Sequence, residues 1–125
     1  MNTHESYVSL ETAKLLKQAG FDWPVDCYYD IMDDLFDDSG FLFNENSYSY
    51  RKSAPTLSIV QRWLREVKGY SIYPTWGGFK IYVLDESCPG GYRKTITVNS
   101  NYSYEKSIEE GIKRSLIILE TESSK

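Results

Sequence analysis

Apolar residues recur at helical spacing in three stretches of the chain and alternate in a fourth. Leu15, Leu16 and Ala19, with Ala13 near their edge, mark one side of a helix predicted over Leu10–Ala19. Ser9 is its N-cap, Glu11 and then Lys14 and Lys17 suit the helix dipole, and Gly20-Phe21 is a stop signal. Leu57, Val60, Trp63 or Leu64, and Val67 form the stripe of a second helix, capped by Ser53 or Thr56 with Pro55 in its first turn and stopped at Gly69-Tyr70. Tyr104, Ile108, Ile112, Leu116 and Leu119 form the stripe of a third, Tyr104–Glu120, capped by Ser103. Between the last two helices the period falls to two. Strands are predicted near Tyr70–Thr75 and Phe79–Asp85, joined by Trp76-Gly77-Gly78, and at Tyr92–Val98 after the turn Cys88-Pro89-Gly90-Gly91. In the last strand Tyr92, Lys94, Ile96 and Val98 alternate with Arg93, Thr95 and Thr97.

Phe21–Ser53 obeys neither rule. Val25, Tyr28, Met32 and Leu35 fit helical spacing, yet the same stretch reads as two short strands around Asp37-Asp38-Ser39-Gly40. Aspartate is poor inside either element and good in turns, which favours irregular strands and a turn. Asn44–Tyr50 reads as a surface loop or an edge strand. The pattern predicts an α+β single domain over residues 1–125, with about three helices covering one face of a mainly antiparallel sheet of three to five strands. Residues 1–6 and 121–125 are expected to fray, and 21–53 is its acidic, irregular segment.

Composition sharpens this picture. A chain of 125 residues is one domain's worth, and 11 of its 19 aromatic residues are tyrosine, a side chain that serves both cores and binding faces. Residues 1–50 hold ten acids and two bases, a balance of −8; residues 51–125 hold eight acids and twelve bases, a balance of +4. The chain lacks the long apolar run of a membrane span and the basic-then-apolar start of a secretory leader, so a cytoplasmic protein with reduced Cys27 and Cys88 is expected. The single histidine, His4, argues against histidine-dependent catalysis and histidine-ligated metals.

Three segments carry a resemblance. They are Tyr7-Val8-Ser9 leading into Ala13-Lys14-Leu15-Leu16-Lys17 and Gly20-Phe21; Ala54-Pro55-Thr56 leading into Trp63-Leu64-Arg65-Glu66-Val67; and Ser103-Tyr104-Glu105. In these the chain resembles a set of small uncharacterised proteins of gut Bacteroidales and their phages or mobile elements. The resemblance covers most of the chain outside Asp30–Asp38. It implies a shared fold and a phage or mobile-element origin, and it carries over no activity or functional residue.

Candidate chemistry is sparse. Asp30, Asp33, Asp34, Asp37 and Asp38 fail the calcium-loop pattern, because Phe36 falls on a ligand position and Gly40 is at the wrong offset. The paired glycines Gly77-Gly78 and Gly90-Gly91 lie between strands, not ahead of helices, and read as turns instead of phosphate loops. The helix–strand–strand–strand–helix order from Ser53 onward echoes a duplex-RNA module, but the acidic start of the last helix would repel phosphate, which disfavours nucleic acid. No metal, cofactor or catalytic group is expected. The leading expectation is a non-catalytic accessory protein that binds a host protein through an acidic, aromatic surface including Asp33, Asp34, Asp37, Asp38, Tyr73 and Trp76. The alternative is a binder of a nucleotide-like signal at an oligomer seam, with Trp76 stacking and Arg62, Arg65, Arg93 and Lys94 meeting phosphate.

Overall fold

The computed structural model describes residues 7–37, 42–84, 92–100 and 103–123. Among the described residues the elements run α1 (Leu10–Gln18), β1 (Cys27–Tyr29), β2 (Leu35–Asp37), β3 (Lys52–Ser53), α2 (Leu57–Trp63), β4 (Tyr70–Thr75), β5 (Gly78–Leu84), β6 (Tyr92–Asn99) and α3 (Tyr104–Ser123). The chain is α+β, with three helices and antiparallel strands, and the strands form two three-stranded sheets ordered β2-β1-β3 and β4-β5-β6. Tertiary contacts group the chain into a first unit, Met1–Leu57 with Leu116–Lys125, and a second, Ser58–Ser115.

In the first unit the Ser9 side chain accepts from the Thr12 N–H at 3.3 Å and caps α1. Gly20 takes φ +89°, and the Phe21 N–H donates to the Leu16 carbonyl at 3.0 Å, so the chain folds back and buries Phe21. The strands here are short, and their reversal differs from the expected one. Asp37 pairs with Cys27 inside the hairpin, and the chain turns at residues 30–34. The reason is Asp30, whose carboxylate accepts from the N–H groups of Met32 at 3.0 Å and Asp34 at 2.9 Å, while Asp33 adopts a left-handed φ of 64°. Asp38, Ser39 and Gly40 lie outside the described residues. Asn44–Tyr50 is a loop with one 3-10 turn at Glu45–Ser47.

α2 begins at Leu57, so Pro55 precedes the helix instead of occupying its first turn, and the rest of the helix belongs to the second unit. Leu57, Val60, Trp63 and Leu64 are buried as expected; Val67 is 51% exposed. The cause is a π-helical turn over Leu64–Lys68, in which the Gly69 N–H reaches back five residues to Leu64. The wider turn rotates Val67 off the stripe and brings the Lys68 ammonium to 5.5 Å from the Trp63 ring, also five residues away. Along β4 and β5 every second residue is buried: Tyr70 and Ile72, then Phe79, Ile81 and Val83, each aliphatic side chain worth roughly 2 kcal/mol.

Ser103 caps α3 by accepting from the Lys106 N–H at 3.2 Å. Ile108, Ile112 and Leu116 are buried, but Tyr104 is exposed. First-turn side chains lean back past the helix end, where no preceding turn packs against them. Ser107, Gly111 and Ser115 are also buried. A Cβ at Gly111 would lie 2.7 Å from Ile72 Cγ2, so α3 approaches the inner face of the β4-β5-β6 sheet through small residues.

Candidate functional site

Asp33 and Asp34 lie in the β1–β2 turn and Asp37 in β2, all exposed; Asp33 Oδ1 is 3.5 Å from Lys52 Nζ. The rest of this hairpin is unusually apolar for a surface. Ile31 and Met32 at its tip are 73% and 74% exposed, and Leu35 and Phe36 follow on β2. From Phe36 the rings continue without a break. Phe36 stacks on Tyr28 (5.8 Å between centroids), and the Arg51 guanidinium lies 4.3 Å from the Tyr28 ring, 4.5 Å from Tyr48 and 5.6 Å from Tyr50. Tyr48 meets Tyr50 at 5.5 Å and Phe43 at 5.6 Å.

Charged hydrogen bonds hold the loop that carries this surface. Lys17, from α1, donates to the carbonyls of Tyr48 at 2.7 Å, Ser49 at 3.2 Å and Arg51 at 2.6 Å. Burial, and then the nearby Lys52 charge, push its ammonium below the usual lysine value. Asn46 Oδ1 accepts from the Ser53 N–H at 2.8 Å, and Asn46 Nδ2 donates to the Phe21 carbonyl at 2.9 Å. Arg51 donates to the buried Glu45 carboxylate at 2.7 Å, and that bond raises the arginine further above its already high value. The result is a Tyr/Ser/Asn loop presented on a fixed frame, the composition and stiffness that suit recognition.

Tyr73 and Trp76 belong to the second unit. Trp76 is fully exposed, at 102%, in the two-residue turn between β4 and β5. That turn is braced. Gly77 has φ +78°, the Ser100 N–H donates to the Gly77 carbonyl at 2.6 Å, and a Cβ at Gly78 would overlap the Val98 carbonyl oxygen. The strand register places Ser71, Tyr82 and Thr95 in one row of the sheet's outer face and Tyr73, Lys80 and Thr97 in the next. The Tyr73 and Tyr82 rings meet edge to face at 5.4 Å.

Arg62 and Arg65 lie on α2 and the π turn, where Arg62 is engaged with Glu66 at 2.7 Å. Arg93 and Lys94 lie on β6 opposite the β5 register shift, and their side chains fall outside the description, as does all of Asp38. The aspartates and the Trp76 set therefore belong to different units. Charge divides the same way: the first unit holds twelve acids and five bases, net −7, and the second six acids and nine bases, net +3.

The sequence reading missed Arg51 and its tyrosines, and it missed the Tyr82–Lys80 pair. Tyr48-Ser49-Tyr50-Arg51 was the visible signal for the first. For the second, two-residue spacing on β5 puts Lys80 and Tyr82 on one face, but their meeting with Tyr73 rests on cross-strand register.

Cys27 is buried beside the Tyr7 hydroxyl. Burial raises its thiol to about 11, and the hydrogen bond to Cys27 raises Tyr7 to about 12. A thiol so held is a poor nucleophile at neutral pH. Among the described residues no three His, Cys, Asp or Glu side chains come together as a metal-holding group, and no helix is long and apolar enough to cross a membrane. Comparison with protein-family models, curated proteins and solved structures gives no match.

Proposed function

We propose that the protein is a non-catalytic interaction protein that binds a host protein through the acidic, aromatic surface of its first unit. The observation that supports this reading is the run Phe36–Tyr28–Arg51–Tyr48–Tyr50, in which Phe36, Tyr48 and Tyr50 are exposed and Tyr28 and Arg51 half-buried, beside Ile31, Met32 and three exposed carboxylates, carried on a loop fixed by Lys17, Asn46 and Glu45. Exposed aromatics on a fixed frame lose little entropy on binding, and a rim of acids selects a basic partner and repels acidic ones. The reading of that partner as a host protein met in the cytoplasm, and of this chain as phage or mobile-element encoded, rests on the resemblance alone.

The test is affinity capture from host lysate at low and moderate salt, with the native chain against Asp33→Asn/Asp34→Asn/Asp37→Asn and against Met32→Ser. One stoichiometric partner is expected, lost with the apolar variant and weakened at higher salt or with the amide variant. Recovery of nothing above background, or of a partner indifferent to both variants, defeats the reading.

A further inference from the structure

We infer that the outer face of the β4-β5-β6 sheet, together with Trp76, binds a nucleobase–phosphate ligand, foremost a single-stranded nucleic acid. The inference is independent of the reading of the first unit.

The face has three properties. It offers flat rings on adjacent strands: exposed Tyr73 on β4 and half-buried Tyr82 on β5, 5.4 Å apart, with fully exposed Trp76 in the turn that joins those strands. Bases stack on such rings regardless of sequence. It also carries a cation in the right place. Lys80 is the direct cross-strand neighbour of Tyr73 on one side and of Thr97 on the other. Its third property is the charge it lacks. The outer rows over Ser71–Thr75, Gly78–Tyr82 and Thr95–Asn99 read Ser71, Tyr73, Thr75, Gly78, Lys80, Tyr82, Thr95, Thr97 and Asn99, without a carboxylate, in a chain that has 18 acidic residues. The unit as a whole is positive, at +3. This complementarity selects an anionic, aromatic ligand over the basic partner that suits the first unit.

The bracing of the Trp76 turn fits the same role. Two glycines and the Ser100–Gly77 hydrogen bond fix a turn whose one large side chain points wholly into solvent. The duplex-RNA objection does not apply to this face. The acidic start of α3 lies on the element that packs against the opposite side of the sheet, at Ile72 and Phe79.

The experiment measures fluorescence anisotropy of fluorescein-labelled U10 and dT10 with the full chain at low salt, with mononucleotides as competitors. Binding is expected, with Tyr73→Ala and Trp76→Ala each weakening it about fivefold or more. Thr97→Glu, an exposed substitution that sets a carboxylate beside Lys80 and leaves packing alone, should weaken it at least as much. The logarithm of affinity should fall against that of salt with a slope of about −0.7 for the single Lys80–phosphate contact. Competition by a mononucleotide at matched affinity assigns the site to free nucleotides; a far tighter decamer assigns it to strands; both uphold the chemistry. No binding by either decamer or any mononucleotide overturns the proposal, including the case in which Trp76→Ala instead disrupts capture of a protein. Binding that Thr97→Glu and Lys80→Gln leave unchanged overturns it too.

Discussion

The two sheets are built on different principles. In β4-β5-β6 the strands span six, seven and eight residues, pair in register along nearly their whole length, and turn alternate side chains inward, buried at Tyr70, Ile72, Phe79, Ile81 and Val83 and half-buried at Ile96 and Val98. In β2-β1-β3 the strands span three, three and two residues, and side-chain hydrogen bonds do much of the holding: Asp30 to its turn, Asn46 to Ser53, Lys17 to three carbonyls and Arg51 to Glu45. One sheet is specified by periodicity and close backbone approach, the other by particular polar atoms. The first kind tolerates polar substitution on its outer face and fails when a backbone gap is filled. The second tolerates backbone change and fails when one side-chain atom is lost.

The largest expected effect breaks the first kind. Gly78→Ala drives a methyl group into the Val98 carbonyl, backbone against backbone, with no flexible side chain to move aside. A loss of about 4 kcal/mol or more follows from forcing the two strands apart. Gly20→Ala, in the first unit, has a left-handed φ but nothing within 4 Å, so only the conformational penalty of about 1 kcal/mol applies. Urea midpoints of the two variants measure the contrast directly, and equal losses would mean that the close approach in the second unit relaxes freely.

That contrast also explains what was legible in the sequence. The three helices, the Trp76-Gly77 hairpin and the alternation of β4 to β6 follow from spacing, because spacing is what builds them. In the Asp-rich segment the pattern predicts strands and a turn but points to Asp37-Asp38-Ser39-Gly40 for the turn, since nothing in local pattern says which aspartate will bond its own backbone. Val67 was assigned to a stripe that a π turn interrupts. The aromatic surface around Arg51 was invisible because Tyr28 and Phe36 join Tyr48 and Tyr50 only after β1 and β2 pair. Of the candidate site residues, Trp76 stands fully exposed in its turn.

The second-largest effect breaks the polar frame. Arg51→Met keeps the side chain's apolar stem but removes the donor to the buried Glu45 carboxylate. Loss of that donor strips the buried Glu45 carboxylate of its guanidinium and should lower the urea midpoint, less than for a wholly buried pair because Arg51 keeps 25% of its side chain in solvent. Hydrogen exchange should quicken first at amides 44–53 while those of β5 stay protected. Uniform quickening across both sheets would show that the frame is not local to the first unit.

A smaller effect appears at alkaline pH. The Cys27 thiol ionises near 9.0 when unfolded and near 11 when folded, so the unfolded chain loses its proton first. The stability this contributes is whole below pH 9 and is lost as pH rises toward 11, a fall of about 2 kcal/mol. Tyr7 adds the same sign between 10 and 12, whereas Lys17, held below its usual 10.5, acts in the opposite direction. Denaturation of the native chain and Cys27→Ala from pH 7 to 10.5 tests the pair: the variant removes the thiol and, with it, the hydrogen bond that raises Tyr7, so it should lack most of the decline that begins near pH 9. Parallel curves would place the decline on another group.

The smallest effect separates acids that build from acids that face outward. Asp33, Asp34 and Asp37 are exposed, and Asn accepts the left-handed backbone of Asp33 as readily as Asp does. Their triple replacement by Asn should leave stability within about 0.5 kcal/mol. At low salt it should add slightly, because three carboxylates within five residues repel one another most when screening is weak. Asp30→Ala is the counterpart on the same hairpin. It removes the acceptor of the Met32 and Asp34 N–H groups and should cost about 1 kcal/mol, with faster exchange at both amides. Thermal denaturation at two salt concentrations compares them. A triple variant that melts as early as Asp30→Ala would make these aspartates part of the frame, and the partner surface of the first unit would then reduce to its aromatic and aliphatic residues.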